Sequence, residues 1–160
     1  MTGIEIKTED YYCIIYNHST EDSFDFLPWG DEPFDVIIVC SEGFVLNETL
    51  KNNIHNLILK NSEWFEVLGP NSEYLHDYID NASVRFGRQA KAGDGSPMTT
   101  WHEGIQNPKD IVDSILSSIL GGNDNRIILI AGDNDIKPQF IDILEKLAST
   151  KQSEVDDSNN

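Results

Sequence analysis

The sequence predicts a three-layer α/β/α sandwich around a small, mainly parallel sheet, and three observations carry that expectation. Short, continuously apolar runs recur, most clearly Val36-Ile-Ile-Val39 and Ile127-Ile-Leu-Ile130, the pattern of strands covered on both faces. Between them lie segments whose apolar residues return every three or four positions, the period of a helix with one buried side. Strands alternating with such helices imply right-handed crossovers and a parallel sheet between two helical layers.

The elements follow in order. Tyr11-Tyr-Cys-Ile-Ile-Tyr16 is β-branched and aromatic, a first strand whose direction the long loop after it leaves open. Ser19 to Pro33 reads as an acidic loop, and Val36 to Val39 as the second strand. Asn47 is placed to cap a helix running to about Lys60, with Leu50, Ile54, Leu57 and Ile58 on one stripe. Trp64 to Leu68 is the next strand, stopped by Gly69-Pro70. A helix then starts near Asn71 or Ser72, burying Leu75, Ile79, Ala82 and Phe86 and leaving His76, Asp77, Asp80 and Arg85 polar. From Gly87 to Gly104 the periodicity disappears, and Gly93-Asp-Gly-Ser-Pro97 is turn chemistry, so an irregular loop is expected. Asn107-Pro108 opens a helix carrying Ile111, Val112, Ile115, Leu116 and Ile119 and ending at Gly121-Gly122. Ile127 to Ile130 is the last strand, and Pro138 to about Ala148 the last helix. Residues 1–150 are expected to form a single α/β domain and residues 151–160 a disordered acidic tail.

Composition narrows the function. The 28 Asp and Glu outweigh 11 Lys and Arg, a formal charge of −17, while 39% of residues are hydrophobic. That is too apolar for a disordered acidic chain. It is also the wrong sign for a nucleic-acid backbone or an anionic membrane surface. The first residues show neither the basic nor the apolar region of a secretory signal, and no apolar run is long enough to span a bilayer. Cys13 and Cys40 lie in separate apolar runs with no partner at metal spacing, as buried thiols of a cytoplasmic protein do. No metal and no cofactor is expected.

Two regions are candidates for function. In open parallel sheets ligands sit outside the carboxyl ends of the strands. A loop containing Trp101-His102-Glu103 is positioned to lie over such a cleft. There His102 would act as acid or base beside Glu103 and Asp133, with Arg85 or Arg88 holding an anion. Against this, Trp101 can simply pin the loop to the core. Sharper catalytic patterns fail: position 106 is Gln106 where a zinc-protease helix needs histidine, and the chain contains no GxGxxG, GxxxxGK[ST] or GxSxG. Asp133-Asn-Asp135 begins like a calcium loop but lacks its glycine and closing glutamate.

The second region is acidic. Residues 1–35 hold nine acids and one lysine, and Glu21 to Phe34 interleaves carboxylates with Phe24, Phe26, Trp29 and Phe34. The aromatics can tuck under the sheet; alternatively Asp22, Asp25, Trp29, Asp31 and Glu32 form a surface in which carboxylates steer a basic partner and Trp29 anchors it.

Gly69-Pro-x-Ser-Glu-x-Leu-His-Asp77, followed by Gly93-Asp-Gly-x-Pro-Met-Thr-x-Trp-His-Glu103, resembles a block in small uncharacterised bacterial proteins. That resemblance transfers no catalytic or binding residue. In size, acidity and intracellular character the chain also resembles, by type, the immunity proteins of bacterial toxin systems. The expectation is an acidic protein-binding module that neutralises a basic partner such as a toxin nuclease. The alternative is a small enzyme or ligand sensor using the cleft under the Trp101-His102-Glu103 loop.

Overall fold

The three most apolar runs become three of the four inner strands of one six-stranded sheet. In a computed structural model, residues 4–8, 10–17, 27–40, 44–86, 97–105, 107–121, 125–132, 141–142 and 145 are described. The elements are β1 (Ile4–Lys7), β2 (Tyr12–Asn17), β3 (Phe34–Val39), α1 (Glu48–Leu59), β4 (Ser62–Leu68), α2 (Ser72–Phe86), β5 (Met98–His102), α3 (Pro108–Gly121) and β6 (Arg126–Ala131). The sheet order is β1-β2-β6-β3-β4-β5. Every pairing is parallel except β1 with β2, which fixes the direction of the first predicted strand: it runs parallel to β6.

Alternation along the strands divides the core in two. Val36, Ile38, Phe65 and Val67 join Leu50, Ile54 and Leu57 of α1 and Leu75 and Ile79 of α2. Ile37, Val39 and Leu68 face the other way, onto Ile111, Val112, Ile115 and Ile119 of α3. These are the two helical layers of an α/β/α sandwich. Cys13 belongs to the α3 side and Cys40 to the α1–α2 side, so the sheet separates the two free thiols.

The helix starts follow the capping rules. Asn47 Oδ1 accepts the Leu50 N–H at 2.8 Å, and Asn107 Oδ1 accepts the Asp110 N–H at 2.9 Å. Asn47→Ala is expected to lower stability by about 1 kcal/mol, read as a shifted urea midpoint at unchanged slope. No change would mean that water replaces the cap.

The expectations fail in three places. β1 was not anticipated. The segment from Gly87 to Gly104, expected to be irregular throughout, contains the edge strand β5, so Trp101 and His102 sit on a strand and not in a loop. His76, expected on a polar face, is 8% exposed because the Trp101 ring covers it at 4.1 Å. Of the last predicted helix only residues 141, 142 and 145 are described, and they are helical; the 151–160 tail lies outside the described residues.

Gly69 joins three elements at the carboxyl end of the sheet. Its N–H donates to the His102 carbonyl at 3.1 Å, and its carbonyl accepts the Ser72 N–H at 3.1 Å. Its φ is +107°, and a Cβ there would collide with the Cys40 carbonyl oxygen and stand 3.0 Å from its carbon. Only glycine combines that backbone angle with so close an approach.

Candidate functional site

Among the described residues, the apolar stripe of α3 lies over the inner strands and meets β4 at Leu68. Farther out, the same face of β4 and β5 carries Trp64, Glu66, Thr100 and His102, because alternate residues share a face and Glu66 is paired with Thr100 in the ladder. Between this margin of the sheet and α3 lies an open groove of about 600 Å³, bordered also by Ile105, Asp113, Ser114, Ser117 and Ser118. It reaches the carboxyl end of the strands, where ligands of parallel sheets bind.

The centre of the groove is a buried carboxylate. Glu66 is only 6% exposed, in a strand whose next residues, Val67 and Leu68, are fully buried. Its Oε1 stands 3.2 Å from His102 Nε2, whose side chain is 51% exposed. Glu66 Oε2 is buried with no hydrogen-bond partner among the described residues. A carboxylate with one unsatisfied oxygen favours a donor or a cation, since leaving it bare costs about 1–3 kcal/mol. The wall is fixed by Trp64 Nε1, which donates to Thr100 Oγ1 at 3.0 Å.

The hydroxyls along α3 are less reactive than their number suggests. Ser117 Oγ donates to the Asp113 carbonyl at 2.9 Å and Ser118 Oγ to the Ser114 carbonyl at 2.8 Å. Both are engaged in backbone bonds to the preceding turn and are not held by His102 as nucleophiles. Neither cysteine is available: burial pushes the Cys13 and Cys40 thiols up to about 12. The native chain is therefore expected to resist thiol reagents at pH 8 and to label at both cysteines once unfolded. Rapid labelling of the folded protein would contradict the burial.

The predicted residues separate into groups. The carboxylate beside His102 is Glu66; Glu103 is exposed in the turn after β5, and Asp133 and Arg88 lie outside the described residues. Arg85 sits on the opposite face of the sheet, its guanidinium 5.3 Å from the Phe86 ring. There it helps burial hold the His55 imidazole below its usual range, burial being the larger cause, and it cannot serve the groove.

Of the acidic candidates, Asp31 and Glu32 lie at the other end of the strands. Asp31 and Glu32 are exposed just before β3, Glu32 Oε2 standing 3.5 Å from Arg126 Nη2, while the Asp31 carbonyl accepts from Asn61 Nδ2 at 3.1 Å. Trp29 packs against the core beneath them, edge-on to Tyr12 at 5.2 Å and 5.8 Å from the buried Phe34. Asp22 and Asp25 lie outside the described residues.

Glu66, Asp113 and Trp64 were not singled out from the sequence. For Glu66 a signal existed: a lone acid inside the run Trp64-Phe-Glu-Val-Leu68 is a charge at a position where water is excluded.

Among the described residues no helix is long and apolar enough to cross a membrane. No curated protein and no solved structure matches the chain. Residues 14–114, from β2 into α3, match the model of a family described as a domain of unknown function (DUF7684), and the chain belongs to that family.

Proposed function

We propose that this protein is an acidic binding module that neutralises a basic partner in the cytoplasm, as an immunity or inhibitor protein neutralises a toxin such as a nuclease. The observation that carries the reading is the charge of −17 on a folded α/β domain. A field of that size raises the encounter rate with a cationic surface and disfavours anionic competitors. Because exposed charges are screened over about 8 Å at physiological salt, the association is strongly salt-dependent. Asp31 and Glu32, at the amino end of the strands, are proposed contacts together with Asp22 and Asp25, which lie outside the described residues, and Trp29 serves the surface by anchoring the turn. Two free, buried thiols support a reducing compartment.

An affinity pull-down from the native host, washed at low and then high salt, tests this. One stoichiometric basic protein, lost as salt rises and lost at low salt on Asp31→Lys with Glu32→Lys, is the expected result. Absence of any partner at either salt would overturn it.

One observation favours a second reading, a small-ligand sensor or enzyme: His102 Nε2 lies 3.2 Å from a buried Glu66 in an open groove. A carboxylate so placed orients an imidazole for proton transfer. Under this reading His102→Ala abolishes ligand binding or turnover and leaves the basic partner bound; under the first reading His102→Ala changes neither.

A further inference from the structure

β5 ends the sheet, and among the described residues no strand pairs with its outer side. The His102 carbonyl accepts the Gly69 N–H of the β4 side. In a parallel ladder the N–H and C=O of successive residues alternate between the two neighbours, so Thr99 and Trp101 present theirs outward. Met98 is 67% and Trp101 43% exposed, so this edge carries apolar surface as well as backbone groups that have no strand partner among the described residues. Such an edge is a template for another strand.

Carboxylates bracket that template on both faces of the sheet. On the α2 side, Asp80 accepts the Thr99 hydroxyl, and Asp77 stands 3.3 Å from the Nδ1 of His76, whose ring packs tilted against Trp101. On the α3 side are Glu66 and Asp113, with Glu103 in the turn that follows. Lys109, one turn before Asp113, is the cation nearest to them along α3.

We propose that an extended, arginine- or lysine-bearing segment of the partner docks on β5 as an added strand, with alternate basic side chains directed to Asp80 on one face and to the Glu66–Asp113 groove on the other. This rests on the preceding reading that the partner is basic, and it locates a docking edge for that partner. Charge selects the occupant. A second copy of this chain brings the same −17 to the same edge and is repelled, whereas a basic strand gains backbone bonds and paired charges together. Trp101 adds a face on which a guanidinium stacks.

The probe is a short synthetic peptide in which arginine pairs alternate with valine pairs, so that neighbouring arginines point to opposite faces of the added strand; it is compared with its glutamate counterpart and with a proline-interrupted basic version unable to donate a ladder of bonds. Residue-resolved amide exchange on the full chain is the readout. The basic peptide is expected to slow exchange at Thr99 and Trp101, whose amides face outward, and to leave Thr100 and His102, already bonded to β4, unchanged. Its affinity should fall by about tenfold with Thr99→Pro, which deletes one outward N–H. Proline is tolerated at an edge position whose N–H faces away from the neighbour. Thr99→Val removes the Asp80 bond but keeps the N–H, and should bind as the parent does. If Thr99→Pro does not fold, Asp80→Asn with Asp113→Asn provides the second arm and should weaken binding and flatten its salt dependence. Protection at another element, equal binding of the proline-interrupted peptide, or no binding of the basic peptide would each overturn the docking edge. The pull-down judges the parent reading separately, since a basic partner captured there and lost on reversing Asp31 and Glu32 stands without β5.

Discussion

Gly69→Ala is expected to lower the stability of the fold by about 4 kcal/mol, a large part of what a domain of this size possesses. Two costs add. An L-residue held at φ near +107° carries about 1–3 kcal/mol of backbone strain. The new methyl group meets the Cys40 carbonyl, which is backbone and itself committed: the Cys40 N–H donates to the Leu68 carbonyl at 2.7 Å. Overpacking against an immovable neighbour costs about 1–3 kcal/mol more. The check is a urea titration, with the midpoint falling at unchanged slope. A loss below about 1 kcal/mol would show that the turn relaxes, and in that event β5 should shift with it, because Gly69 also holds the His102 carbonyl.

Trp29→Ala is expected to cost about 3 kcal/mol, and Trp29→Phe much less. The indole fills the space between Tyr12 and Phe34, and truncating a packed aromatic leaves a cavity that neighbouring strands cannot close. Its Nε1 is buried without a hydrogen-bond partner among the described residues. Phenylalanine removes that unsatisfied donor, and this relief offsets part of the lost ring area. Chemical denaturation of the two variants checks the difference. If Trp29→Ala left stability unchanged while abolishing partner binding, the residue would be a contact and not an anchor.

The two regions differ in how far their sequence betrays them. β3 and β6 announce themselves because burial on both faces demands unbroken apolar runs, and α1 and α3 because Asn47 and Asn107 do chemistry that only a helix start requires. β5 gives no such sign. Met98-Thr-Thr-Trp-His102 has no fully buried residue, so neither alternation nor an apolar run is imposed on it. Its conformation is decided by pairing with β4, in register from Trp64–Met98 to Leu68–His102. β1 is hidden for a related reason: four residues are too few to show a period, and their pairing with β2 makes them a strand.

The same contrast holds for the site. His102 was visible beside Trp101, but the carboxylate facing it comes from a position 36 residues earlier, brought near by parallel pairing of β4 with β5. Glu103, adjacent in sequence, falls one residue past the end of β5 and is an exposed turn residue, outside the alternation that would turn a side chain onto the sheet. Arg85, the expected anion holder, belongs to α2 on the opposite face of the sheet from the groove that His102 borders. Such pairings follow from sheet order, for which no local pattern codes.

That order has a consequence for how the chain is made. Among the described strands β6 is the last to leave the ribosome, yet it lies in the middle of the sheet, between β2 and β3. Until it arrives, β2 and β3 have no partner on the sides they will eventually share with it, and both are among the most apolar segments of the chain. At ordinary elongation rates the wait from β3 to β6 is on the order of ten seconds. Through that interval the nascent chain displays two apolar strand edges, the condition under which strands mispair or aggregate. The sheet is then closed by insertion of β6 between β2 and β3, and does not grow outward strand by strand.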